Sequence, residues 1–78
     1  MKIMVEYASA PEPKEFNWQP NEFVGVAVSR ARHDFGAPEG EVYQFILDGV
    51  VVASAQTLVA AGIVPGVRVE LVAIGGSV

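Results

Sequence analysis

Residues 20–38 read PNEFVGVAVSRARHDFGAP, and the fold turns on how they are read. Val24, Ala27, Val28, Ala31 and Phe35 recur at helical spacing, while Ser29, Arg30, Arg32 and Asp34 fall elsewhere around the axis. That pattern predicts one amphipathic helix with a single apolar face. Asn21 is the expected N-cap, with Glu22 in the first turn, where the helix dipole favours an anion. Gly36 and Pro38 give the stop signal. Gly25 inside the helix costs about 1 kcal/mol relative to alanine, which implies close packing there, against a sheet.

Working outward toward the N-terminus, residues 14–19 (KEFNWQ) place Phe16 and Trp18 on one face of a strand that Pro20 ends. Residues 9–13 (SAPEP) form a loop, and residues 1–8 (MKIMVEYA) alternate, with Met1, Ile3, Val5 and Tyr7 on one face. Toward the C-terminus, residues 42–47 (VYQFIL) form a third strand with Phe45 and Leu47 inward. Ile46 then points outward, with Tyr43 near it. Asp48-Gly49 is a two-residue hairpin signal leading to a short return strand at 50–52. Thr57 to Ala61 form one helical turn closed by Gly62, and Pro65-Gly66 favours a type II turn. Residues 67–72 (VRVELV) alternate again, with Val67, Val69 and Leu71 on one face.

This order predicts an α+β fold, one helix across one face of a mixed four- to five-stranded sheet. The first and last strands can pair in parallel, because the helix supplies the crossover. The expected core is Ile3, Val5, Trp18, Val24, Val28, Phe45, Leu47, Leu58, Val67 and Val69. Residues 1–72 form the domain, and residues 73–78 (AIGGSV) a flexible tail with two adjacent glycines.

Composition narrows the function. With 78 residues, 51% of them apolar, the chain builds one small core. It has no cysteine, which excludes disulfides, thiolate catalysis and cysteine-ligated clusters and fits a reducing cytoplasm. A net charge of −4 with scattered cations argues against nucleic acid. No apolar run is long enough to span a membrane, and no signal-like block follows Met1-Lys2. His33 is the single histidine and reads as a surface residue on the helix. Glu39 and Glu41 read as solvated loop charges rather than an acid/base pair. No metal, cofactor or enzymatic activity is expected.

The order and spacing of these elements resemble ubiquitin over nearly the whole chain. Met1, Ile3 and Val5 follow its opening alternation, and Pro20 stands just ahead of the helix. Gly36-Ala37-Pro38 resembles the Gly-Ile-Pro after its helix. Phe45-Ile46-Leu47 with Gly49 resembles its Leu-Ile-Phe-Ala-Gly, and Thr57-Leu58 then Ile63 resembles its Thr-Leu then Ile. Val67, Val69 and Leu71 take the places of leucines in its last strand, and Gly75-Gly76 falls where its terminal di-glycine falls. The resemblance implies a β-grasp fold and a protein modifier, similar to bacterial ubiquitin-like proteins encoded beside activating-type and conjugating-type enzymes and a peptidase.

On that resemblance the chain is processed between Gly76 and Ser77 and activated at the freed carboxylate. The implied partners are an ATP-dependent activating enzyme, a cysteine-bearing conjugating enzyme, a processing peptidase and target proteins. Val72 and Ile74 would be gripped in place of ubiquitin's basic tail residues. Met4, Ile46 and Arg68 would form a partner-binding surface, with Glu70 replacing an apolar residue beside it. Lys2 and Lys14, the two lysines, are the candidate acceptors for chain building. Two other readings share the fold: a sulfur carrier bearing a C-terminal thiocarboxylate, and an interaction module that never uses the tail.

Overall fold

In the computed structural model, which describes residues 1–76, six elements follow one another. They are β1 (Lys2–Tyr7), β2 (Lys14–Asn17), α1 (Val24–Phe35), β3 (Glu41–Leu47), β4 (Val50–Val51) and β5 (Arg68–Gly76). The sheet order is β2-β1-β5-β3-β4. β1 and β5 pair in parallel at the centre, and the other pairs are antiparallel. This is the β-grasp arrangement expected from the sequence.

The inward positions of every strand alternate as the period-two reading requires. Ile3, Val5, Phe16, Trp18, Val24, Ala27, Val28, Phe45, Leu58, Val69 and Leu71 are buried between sheet and helix. Leu47 and Val67, expected inside, are half-buried and pack against the rim of this cluster. Leu47 is the last residue of β3, beside the hairpin, and Val67 directly precedes β5, so each lies where its element leaves the core. Tyr43 also departs from expectation. It shares the inward parity of Phe45 and is buried, not near Ile46 on the outer face. Ile63 and Val52, from the loops, complete the core.

The helix starts later than Asn21 implies. Val24 is its first residue, Phe23 holds the N-cap position, and no side chain caps it. The Glu22 N–H instead bonds to the Gln19 carbonyl, closing a turn through Pro20 and Asn21. The unpaired donors of the first turn are satisfied from a distant loop: Val24 N–H reaches Gln56 O at 2.8 Å and Gly25 N–H reaches Ser54 O at 3.0 Å. This explains Gly25, which packs against that loop and not the sheet. A Cβ there would lie 3.3 Å from Ser54 Cβ and 3.4 Å from its carbonyl oxygen. Glu22, displaced from the first turn, pairs with Arg30 at 2.8 Å. At the other end, Gly36 and Ala37 N–H groups cap the His33 and Arg32 carbonyls, as the stop signal predicts.

The Asp48-Gly49 hairpin forms as read. Both residues have positive φ, 52° and 80°, the signature of a type I′ turn. A two-residue loop leaves no freedom in register, so Leu47 faces Val50 and Ile46 faces Val51.

The last strand runs further than the alternating stretch 67–72. β5 does not end at Val72. Ala73 lies opposite Tyr43 and Gly76 opposite Glu41, with a register shift between those two pairs. The strand continues because β3 begins as early as Glu41, so its backbone still offers donors and acceptors to the residues after Val72. The boundary at 72/73 therefore marks no break in the sheet.

Candidate functional site

The face of the sheet turned away from α1 carries the predicted partner surface, and strand register decides which residues meet there. Met4 on β1 is opposite Arg68 on β5. One step along, Glu6 on β1, Glu70 on β5, Ile46 on β3 and Val51 on β4 form one row across four strands. Val72 and Gln44 are the next pair on the same face. Ile46 and Met4 are thus on the same face but separated by the Arg68–Glu70 stretch of β5.

Arg68 is not a free cation. Its guanidinium donates to Glu6 Oε2 at 3.0 Å, with both side chains about half exposed. The centre of the face is therefore acidic: Glu70 sits beside Glu6, and an open hollow of about 290 Å³ adds Glu12 from the β1–β2 loop. Around this centre runs an apolar stripe. Ile46, half-buried, adjoins Val51, 46% exposed, and on the outward positions further along are Val72 and Val42, the latter 55% exposed. Ile74, 37% exposed, follows at the register shift.

Sequence reasoning missed three of these residues. Val51 was recoverable, because a two-residue hairpin loop dictates that Ile46 faces Val51. Val42 shares the parity of Ile46 along β3. Glu6 was not recoverable as the partner of Arg68, since no local signal sets the register between β1 and β5.

The tail residues Val72, Ile74, Gly75 and Gly76 extend from this face along β5, beside the start of β3. Ser77 lies outside the described residues. At this end Tyr43 is buried, its hydroxyl donating to Glu41 Oε2 at 3.2 Å and its ring edge-on to Tyr7 at 6.5 Å. Burial, with Tyr7 and Glu41 alongside, pushes its phenol from 10.0 up to about 12.

The two lysines occupy different surroundings. Lys14 Nζ donates to the Asp34 carbonyl at 2.7 Å and lies 5.2 Å from the centroid of the Phe35 ring. Lys2 Nζ is 3.8 Å from Glu15 Oε2, with its side chain 73% exposed. His33 and Glu39 are exposed on the surface, apart from the stripe. Among the described residues no group of three or more His, Cys, Asp or Glu side chains could hold a metal ion. Nor, among these residues, is any helix long and apolar enough to cross a membrane.

Comparison with solved structures places the fold. The chain superposes on the ubiquitin of Caldiarchaeum subterraneum with a TM-score of 0.81 at 22% identity, covering 96% of this chain and 94% of that one. A designed protein based on ubiquitin gives 0.82 at 18% identity, covering 99% and 92%. The N-terminal ubiquitin-like domain of the 4931431F19Rik protein gives 0.80 at 18% identity, covering 100% and 78%. No protein-family model matches the chain, and no curated protein does. The class is therefore a ubiquitin-like β-grasp fold, a likeness of backbone architecture.

Proposed function

We propose that the chain is a ubiquitin-like protein modifier, itself not an enzyme, that works in the cytoplasm and belongs with the bacterial ubiquitin-like proteins. The observation carrying this reading is the position of Gly75-Gly76. They end the last strand of a ubiquitin-like fold, directly after the apolar residues Val72 and Ile74. Cleavage after Gly76 frees its carboxylate. That carboxylate attacks the α-phosphorus of ATP and displaces pyrophosphate. A cysteine thiolate then displaces AMP, and a target amine displaces the thiolate to leave an amide bond. Glycine suits each step, because a backbone without side chains threads a narrow channel and brings its carbonyl close to the nucleophile. Val72 and Ile74 give an activating enzyme apolar purchase, and the face around Ile46 contacts it.

The pairing of Gly76 with Glu41 supports a second reading, a ubiquitin-like interaction module whose terminal strand stays in the sheet. Incubating a chain ending at Gly76 with ATP and an active candidate activating enzyme separates the two. An adenylate or thioester, lost in Gly76→Ala with folding intact, supports the modifier. Mass spectrometry of the protein from its native cell adds the third outcome: exchange of one oxygen for sulfur at Gly76 identifies a sulfur carrier.

A further inference from the structure

We propose that Lys2, and not Lys14, is the side-chain amine at which this chain accepts an acyl group, so that chains of the protein grow through Lys2; the proposal rests on the modifier reading. An acceptor amine must bring a free lone pair to a thioester carbonyl. The nitrogen attacks, the C–S bond breaks, the thiolate leaves and the amine gives up its proton, so an isopeptide bond replaces the thioester. The acyl thioester on a conjugating cysteine is the only co-reactant.

Lys14 is poorly placed for this. Its ammonium is held at 2.7 Å by the Asp34 carbonyl, in the last turn of α1, where carbonyl oxygens lack intrahelical donors. The same charge lies over the face of the Phe35 ring, 5.2 Å from its centroid. The ring contact favours the protonated form, and the hydrogen bond holds the nitrogen against the end of the helix, so Lys14 must give up the first and be drawn away from the second to reach a thioester. The arrangement also ties the edge strand β2 to the end of α1, a structural role.

Lys2 has no comparable restraint. It lies on the outward face of β1, alternating with buried Ile3, and its side chain is 73% exposed. Among the described residues its one ionic contact is Glu15 at 3.8 Å, itself more than half exposed. Such a pair contributes little and opens readily.

The experiment has two arms. In the first, the folded full-length protein is acetylated with a sub-stoichiometric N-hydroxysuccinimide ester, and each lysine is quantified by peptide mass spectrometry. Lys2 is expected to react roughly fivefold faster than Lys14, and the two rates should converge in urea. Equal native rates, or a faster Lys14, overturn the proposal without touching the modifier reading. In the second arm, chain growth from a preformed thioester is followed for Lys2→Arg and Lys14→Arg. Loss of chains in Lys2→Arg alone supports the proposal, and chains that persist in Lys2→Arg overturn it. No thioester at all, with an active enzyme, rejects the modifier reading, while the labelling ratio still ranks the two amines.

Discussion

Glu6 and Glu70 lie directly opposite each other across the parallel β1–β5 pair, and among the described residues Arg68 is bonded to Glu6 and not to Glu70. Two like charges in register repel, and one cation beside them screens only one of the pair. This puts a small, localised strain at the centre of the outward sheet face, beside Ile46.

Replacing Glu70 with Gln should therefore stabilise the domain by about 0.2–1 kcal/mol. The gain should shrink in high salt, since exposed charges are screened over a few ångströms at roughly 1 M. Urea denaturation of both proteins at low and high salt checks this. A destabilised variant would mean that Glu70 has a favourable partner.

The acidic centre would also set the character of the proposed binding at the apolar stripe. A partner suited to it carries an apolar contact for Ile46 and Val51 and a cationic group for Glu70. On the proposed modifier reading, Ile46→Ala and Val51→Ala should each weaken binding to a candidate activating enzyme by about 1–2 kcal/mol, the range of a significant interface contact. Val51→Ala should leave the melting temperature nearly unchanged, because the side chain is 46% exposed. Affinity titrations with wild type and both variants decide it, and unaltered affinity would remove the stripe from the account.

Core substitutions should separate two leucines that look alike in the sequence. Leu58 is wholly buried and Leu47 only partly. Leu58→Ala should cost about 3–5 kcal/mol, much of a small domain's stability, and Leu47→Ala about half that. Denaturant midpoints at matched slope measure the difference. Equal costs would show that the rim at Leu47 is as tightly packed as the centre.

Tyr43 gives the fold an alkaline limit. Its folded-state phenol is raised to about 12 from 10.0, so the neutral form is favoured in the folded protein. The associated stability is fully present below pH 10 and is lost as pH rises from about 10 through 12. Tyr43→Phe should flatten this part of the pH–stability curve. Melting temperatures of both proteins between pH 8 and about 12 test it. Parallel curves would show that Tyr43 is not the source of the loss.

What could be read from the sequence follows from periodicity and from short-range turn chemistry. The inward residues of β1, β3 and β5 were legible because a strand with one buried face must alternate, and those of α1 because a helix packed on one side must repeat at 3.6. Asp48-Gly49 carried more than a turn. Its two-residue length also sets Ile46 against Val51. Gly75-Gly76 stood out by composition, as did Val72 and Ile74 before them.

The rest depended on groups far apart in the chain. Arg68 and Glu6 are separated by 62 positions, and nothing local sets their register, so the acidic character of the sheet face emerged only when β1 met β5. Asn21 carried a good local N-cap signal but lost to the Ser54 and Gln56 carbonyls, which satisfied the first-turn donors from another loop. Lys2 and Lys14 are equivalent as sequence; the end of α1 distinguishes them by engaging the Lys14 amine, while Lys2 has only a loose pair with Glu15 among the described residues. Residues after Val72 had the composition of a tail, but an early start to β3 gave their backbone a partner as far as Gly76. Local pattern determined which elements form and which side of each is apolar. Tertiary structure decided which charges, amines and backbone groups become neighbours, because those pairings require two distant segments to be brought into register.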